Sequence, residues 1–200
     1  MKKSIVSSLM IIFFMTSFFV LASNSIDAHA AYSVKKAQSY AKKYYKEPNY
    51  KHDYFSNDCT NFVSQIINAG GEVQKAPAVR NFGVDRNTSY WYGGLYTKGK
   101  IQSFSYSSTF TAVTHFDKYW SSKKKTYTSS SKKNIIKQAE AGDVILMQHE
   151  KKKTWSHAMF VYKKTNSTLK LSGHTKSRLD LDIKKLSTYK KFKVIKFAKR

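Results

Sequence analysis

Residues 57–71 carry the local signals of one short helix. Its apolar side chains repeat at helical spacing, which is typical of a face buried against a core: Phe62, Val63, Ile66 and Ile67. Asn57 or Asp58 can cap the start, and the pair Gly70-Gly71 supplies a stop. The sequence therefore predicts a helix with one buried face and a polar first turn.

The remaining elements change from helices to strands along the chain. Helices are predicted at 34–46, where Ser33 can cap the start, and at 108–120. Residues 72–107 and 121–133 have the character of loops, the first rich in glycine and the second in lysine. Strands are predicted at 143–148, 155–163, 168–175 and 191–199, the middle two forming a hairpin. This order predicts an α+β fold with helices packed on a C-terminal antiparallel sheet.

The first thirty residues predict an export signal. Two lysines precede an apolar run of 18 residues at 5–22, and Ala28-His29-Ala30 follows as a cleavage motif. An uncleaved membrane anchor is the alternative, because about 18 apolar residues are just enough to cross a bilayer. We expect residues 1–30 to be a signal peptide cleaved near Ala30. Residues 31–200 contain no internal repeat or flexible linker, so they are predicted to form one secreted domain.

The charge is strongly positive. Lys and Arg total 36 against 12 Asp and Glu, a formal charge of +24. Because residues 1–30 hold two lysines and one aspartate, the remainder keeps +23. Such a surface fits anionic wall polymers or lipid headgroups. Export and the lack of a recognisable binding motif argue against nucleic acid as a partner.

Cys59 is the single cysteine, which excludes an intramolecular disulfide. It lies at the first turn of the predicted helix, where unpaired backbone N–H groups and the helix dipole stabilise a thiolate. The pKa of its thiol is therefore expected to be low, and an alkylating agent to label it faster than a model thiol. A free cysteine is usually a small buried hydrophobe, but polar neighbours and an oxidising compartment favour a functional role.

A thiolate nucleophile needs a base, which is normally a histidine. His157 heads the first strand of the predicted hairpin, and His174 lies near the end of the second. A two-residue turn at Thr165-Asn166 places the two imidazoles directly opposite each other on one face. The other histidines of this part of the chain are predicted to lie at the surface: His52, His115 and His149.

A zinc site is the competing interpretation. The two hairpin histidines could bind zinc together with Cys59, Asp180 or Asp182. No ligand pair has a familiar short spacing, so neither a metal nor another cofactor is predicted. Serine catalysis lacks the G-x-S-x-G motif.

These segments resemble the putative amidase domain family of the papain-like cysteine hydrolases, which are related to bacterial cell-wall amidohydrolases and peptidases. The most specific match is residues 57–65 (NDCTNFVSQ), followed by Ala69-Gly70-Gly71. Later matching segments are Gly142-Asp143-Val144, Trp155-Ser156-His157 and His174-Thr175. The resemblance spans residues 33–198, and the lysine-rich stretch at 121–133 departs from it.

The resemblance implies a papain-like fold and a Cys-His-His site. Cys59 would be the nucleophile, His157 the base, and His174 the residue that orients His157. The helix start would hold the oxyanion, with support from Asn57, Asp58 and Asn61. Trp91 and Trp155 are assigned to the substrate cleft.

Two functions are compatible with these residues. The first is a secreted, monomeric cysteine amidase or peptidase that acts on peptidoglycan or peptide amides without a cofactor. The second is a non-catalytic module that holds an anionic wall polymer or membrane surface through its charge and the cluster Tyr90-Trp91-Tyr92. Binding that survives Cys59→Ala and weakens with salt would favour the module.

Overall fold

The computed structural model describes residues 31–198, so the predicted signal peptide lies outside the described residues. The helices are α1 (Val34–Tyr44), α2 (Cys59–Ala69), α3 (Ser108–Thr111), α4 (Val113–Ser121) and α5 (Lys132–Gln138), with a 3₁₀ turn at Ile183–Lys185. The strands are β1 (Gly83–Asp85), β2 (Gly93–Lys98), β3 (Ile101–Ser107), β4 (Thr126–Ser129), β5 (Val144–His149), β6 (His157–Lys164), β7 (Leu169–Gly173), β8 (Arg178–Asp182) and β9 (Tyr189–Ile195). Within this range, none of the helices has the length and apolar character needed to cross a bilayer.

A six-stranded antiparallel sheet is the centre of the molecule. Its strand order is β4-β9-β5-β6-β7-β8. Alternate residues of β5 enter two different cores, because side chains of a strand point to opposite faces. Val144 and Leu146 pack under α1 and α2, whereas Ile145 and Met147 pack with Ile135 of α5. Helices and an antiparallel sheet together confirm the predicted α+β class.

The first two helices form as the sequence predicts. The Ser33 hydroxyl accepts the Lys36 N–H at 3.3 Å and caps α1, whose buried side is lined by Ala37 and Ala41. The apolar stripe of α2 is fully buried against β6, and Gly70 ends the helix. This packing brings the start of α2 to the end of β6 where His157 lies.

Two predicted loops contain regular structure. Residues 72–107 hold a small sheet of order β1-β3-β2, and 121–133 hold β4, which pairs with β9. These strands consist mostly of glycine, serine, threonine and tyrosine, so they lack the aliphatic alternation that marks a strand. The predicted helix at 108–120 is also interrupted, because Ala112 has extended backbone angles between α3 and α4.

The hairpin of β6 and β7 is confirmed, but its predicted register is wrong. Phe160 pairs with Ser172, and a bulge lies between Val161 and Lys163. The turn is also longer than two residues, since the Thr165 N–H donates to the Thr168 carbonyl at 2.9 Å. A one-residue shift turns a side chain to the other face of a sheet. His174 therefore faces α2 instead of lying opposite His157.

Candidate active site

The start of α2 places Cys59 beside the first residues of β6, a central strand of the sheet. Cys59 is the first residue of α2 and is 7% exposed. Asp58, at the N-cap position, makes no side-chain capping hydrogen bond. The Cys59 sulfur is instead faced by the backbone N–H groups of Thr60 and Ala158 and by the Thr60 hydroxyl at 3.7 Å. The helix start is thus free of a side-chain cap, and its N–H groups can serve the sulfur or a bound oxyanion.

The Asp58 side chain is turned away from the helix start and organises the loop before it. Its Oδ1 accepts the Phe55 N–H at 3.2 Å and the Asn61 side-chain N–H at 2.7 Å. Its Oδ2 accepts from the His174 Nδ1 at 2.6 Å. Three hydrogen bonds therefore hold Asp58 in place directly before Cys59.

His174 is held at the junction of three elements. Its Nε2 donates to the Tyr44 carbonyl at 2.8 Å, while its ring stacks on Phe62 with 3.6 Å between centroids. Both ring nitrogens are engaged, so neither is left for His157. The expectation that His174 orients His157 is wrong, because the bulged register directs His174 to Asp58 instead.

His157 lies at the start of the strand that packs against α2. It is the first residue of β6, directly before Ala158, whose N–H faces the Cys59 sulfur. Its ring is half-buried and stacks on Tyr189 at 6.0 Å between centroids and 15° between planes. Burial lowers the pKa of His157 to about 4. At neutral pH the imidazole is uncharged and able to accept a proton.

The thiol differs from the expectation of a low pKa. Burial is the largest effect and raises the pKa of Cys59, although the N–H of Ala158 and the groups of Thr60 oppose it. Desolvation therefore outweighs the stabilisation offered by the helix start. Cys59 and His157 are therefore both neutral at neutral pH.

Tyr189 completes the surroundings of the pair. It begins β9, pairs with His149 in the sheet, and has its pKa raised by burial and by the nearby Cys59. Sequence reasoning missed Tyr189, because it stands in a lysine-rich stretch that carries no functional motif. Strand pairing alone brings it to the site.

These residues open onto a cleft of about 790 Å³. Its lining includes Cys59, His157 and Tyr189, together with Asn57 and Trp155. A buried cysteine and a neutral histidine at the wall of such a cleft are typical of an enzyme site.

The chain is similar to a known family over almost all of its described residues. The profile of the family described as "Putative amidase domain" matches residues 31–197. The chain belongs to this family. The description of the family names an amidase. The amidase domain is also 28% identical over 135 residues to the uncharacterized protein YhbB of Bacillus subtilis (strain 168).

That alignment covers 68% of this chain but 38% of the relative, so the chain spans well under two thirds of the relative's length. No solved structure gives a significant match to the amidase domain.

Of the residues predicted to support the oxyanion, one lines the cleft and the others are engaged in hydrogen bonds within the protein. Asn57 lines the cleft, whereas both side-chain hydrogens of Asn61 are already donated, to the Asp53 carbonyl at 2.8 Å and to Asp58. Asn61 is therefore a structural residue of the loop and not an oxyanion donor. Asp58 supports the site through His174.

The two predicted cleft tryptophans are also separated. Trp155 lines the cleft, but Trp91 is 0% exposed and lies in the core, where its Nε1 donates to the Ser64 hydroxyl at 3.3 Å. Tyr92 beside it is also buried. The assignment of Trp91 to the cleft is wrong, and the aromatic cluster invoked for a binding module is not a surface.

Three further histidines lie outside the cleft, although the His149 ring contacts Tyr189 edge-on with 5.8 Å between centroids. His52, His115 and His149 are half-buried instead of surface-exposed, and none lines the cleft. Within residues 31–198, no three or more His, Cys, Asp and Glu side chains are placed to hold a metal ion. Asp182, one suggested ligand, is bonded to Lys170 and Thr168.

Proposed function

We propose that this amidase domain is a cysteine hydrolase of peptide amides in which Cys59 is the nucleophile and His157 the general base. The observation that carries the proposal is the placement of the Cys59 thiol. It lies at a helix start without a side-chain cap, beside the strand that begins with His157, at the wall of an open cleft.

The first step uses the neutral pair. When a substrate amide binds with its carbonyl carbon at the Cys59 sulfur, the thiol proton passes to His157. The sulfur then forms a bond to the carbonyl carbon, and the negative charge moves to the carbonyl oxygen. The Cys59 backbone N–H is positioned to donate to that oxygen, as the first N–H of a helix without a side-chain cap.

The second step releases the products. His157, now protonated, gives its proton to the leaving nitrogen, the C–N bond breaks, and a thioester to Cys59 remains. Water attacks the thioester, loses a proton to His157, and releases the acid with the thiol restored. The stack with Tyr189 holds the His157 ring in one orientation through both steps.

We further propose that the domain acts outside the cell on peptidoglycan peptides. The support is the export signal predicted at 1–30, together with a charge of +23 on the remainder, which would hold the protein on anionic wall polymers. The charge then serves localisation, and the Cys59 site serves chemistry.

The test is digestion of purified peptidoglycan, with mass spectrometry of the released fragments. The unmodified protein is expected to release fragments with new amine and carboxylate ends, and both Cys59→Ala and His157→Gln are expected to abolish release. His115→Gln, a half-buried histidine outside the cleft, is the matched control and should retain activity. Release that is unchanged in Cys59→Ala would overturn the cysteine mechanism.

A further inference from the structure

The cleft around Cys59 is charged with one sign only. Four cationic side chains line it: Lys152, Lys176, Arg178 and Lys185. Among the described lining residues there is no aspartate or glutamate. A substrate entering this cleft therefore meets positive charge and no carboxylate.

These cations are exposed and are not neutralised by the protein. Within residues 31–198, none of the four forms an ion pair. Two acids that directly adjoin lining residues in the chain have other partners, since Asp182 is paired with Lys170 and Asp58 with His174. The positive charge of the cleft is thus available to a ligand.

The overall basicity of the chain does not account for this pattern. Three other surface cavities also contain lysines, yet each includes a carboxylate in a close ion pair. Glu72 is 2.5 Å from Lys124, Glu140 is 2.9 Å from Lys164, and Asp117 is 2.7 Å from Lys193. Unlike these three cavities, the cleft that holds Cys59 has no acid among its described lining residues.

The cations come from separate segments that surround the nucleophile. Lys152 lies in the β5–β6 loop, Lys176 lies in the β7–β8 turn just before Arg178 at the start of β8, and Lys185 ends the 3₁₀ turn. Like charges gathered from three segments repel one another, so their convergence costs stability unless a ligand offsets it. A cleft of this kind raises the local concentration of anions.

We propose that the substrate of this cleft is an acidic peptide, in which carboxylates lie on both sides of the scissile amide. This inference rests on the proposed function, because it names the substrate class of the same site. Cleavage by Cys59 requires an amide, which a phosphodiester polymer lacks. Carboxylates supply the missing negative charge, and Arg178 can bind one through two parallel N–H···O bonds.

The test compares two peptides that are identical except that glutamates on both sides of one amide are replaced by glutamines. The intact protein is expected to cleave the acidic peptide with a kcat/KM about tenfold higher, since several exposed pairs each contribute a factor of a few. High salt should reduce this ratio. Equal kcat/KM for the two peptides would overturn the inference while leaving the hydrolase assignment intact.

The variant Arg178→Ala with Lys185→Ala locates the effect. The acidic-to-neutral ratio of kcat/KM is expected to fall about fivefold in this variant. The matched control is Lys98→Ala with Lys100→Ala, which removes two exposed lysines at the β2–β3 turn and should leave the ratio unchanged. A ratio that falls equally in both variants would show a general charge effect and overturn the inference.

Absence of hydrolysis is a separate outcome. If neither peptide is cleaved, the proposed function fails for these substrates, and fluorescence anisotropy of the labelled peptides with the Cys59→Ala protein decides the inference. Tighter binding of the acidic peptide that weakens in the Arg178→Ala, Lys185→Ala background supports it. Equal binding of the two peptides overturns it.

Discussion

Asp58 and His174, 116 residues apart in the chain, form a buried pair directly behind the proposed nucleophile. The atoms facing the His174 ring are a carboxylate oxygen and the Tyr44 carbonyl oxygen, both of which are acceptors. His174 is therefore held at both ring nitrogens, and the face of Phe62 stacks on its ring.

This pair connects the end of α1 and the end of β7 to the residue before Cys59. Asp58 also holds the loop through Phe55 and Asn61, so its lone pairs are largely satisfied. Removing one partner of such a buried polar pair is costly, because the other partner is left buried and unsatisfied. We interpret it as the element that positions the start of α2.

The first prediction concerns the stability supplied by this pair. His174→Ala leaves the Asp58 carboxylate buried without its partner and should lower the free energy of unfolding by about 3–5 kcal/mol. Urea denaturation measures it. Lys170→Ala, which breaks the partly exposed pair with Asp182, is the control and should cost about 1 kcal/mol or less. A loss in His174→Ala as small as the control would contradict the positioning role.

The elements predicted correctly from the sequence are those with strong local signals. α1, α2 and β5 combine a clear apolar pattern with a cap or turn residue at a boundary. The small sheet at 83–107 and the edge strand β4 were missed, because their polar and glycine residues are stabilised as strands by pairing with neighbours. Local sequence does not report that pairing.

The site was predictable only in part, for a related reason. Cys59 was recognisable from its position at a helix start, and His157 from its position at a strand start. The role of His174 depended on register, and a bulge between Val161 and Lys163 shifted it by one residue. Tyr189 reaches the site through strand pairing across a long separation, which no local pattern shows.

The second prediction separates the two tryptophans. Trp91→Ala removes a fully buried ring packed against Phe110 and Trp120 and should lower the free energy of unfolding by about 3–5 kcal/mol. Trp155→Ala, in the cleft wall, should affect KM more than stability. Denaturation and steady-state kinetics on both variants check the contrast. Unchanged stability and a raised KM in Trp91→Ala would contradict the core assignment and support a role for Trp91 in the cleft.

The third prediction concerns thiol reactivity. Because burial raises the pKa of Cys59, the thiol should be protonated at neutral pH and react with iodoacetamide more slowly than free cysteine. The rate should rise steadily as the pH is increased. His157→Gln should leave the neutral-pH rate nearly unchanged, since the resting pair is neutral. Fast labelling that depends on His157 would show an ion pair instead.

The fourth prediction is a pH dependence of stability from His157. Its pKa is about 4 in the folded protein against 6.5 for a free histidine. Between these values the unfolded chain binds a proton that the folded protein does not, so the free energy of unfolding falls as the pH falls from 6.5 to 4.

Denaturation at pH 7.0 and pH 4.5 measures that change. Expressed as the difference between the two pH values, the loss should be smaller in His157→Gln than in the unmodified protein, because the glutamine does not titrate. His52, whose pKa burial also lowers to about 4, contributes in the same direction, and His52→Gln is the matched comparison. An identical loss in the unmodified protein and His157→Gln would contradict the low pKa.

The fifth prediction tests Tyr189 as a positioning residue for His157. The rings of Tyr189 and His157 are stacked with 15° between their planes. Tyr189→Phe keeps the ring and should retain kcat, whereas Tyr189→Leu removes the stack and should lower kcat up to about tenfold, the worth of one aromatic pair. KM should change little in either variant, because the stack acts on the base and not on substrate binding. A fall in kcat that is equal in Phe and Leu variants would assign the effect to the hydroxyl instead of the stack.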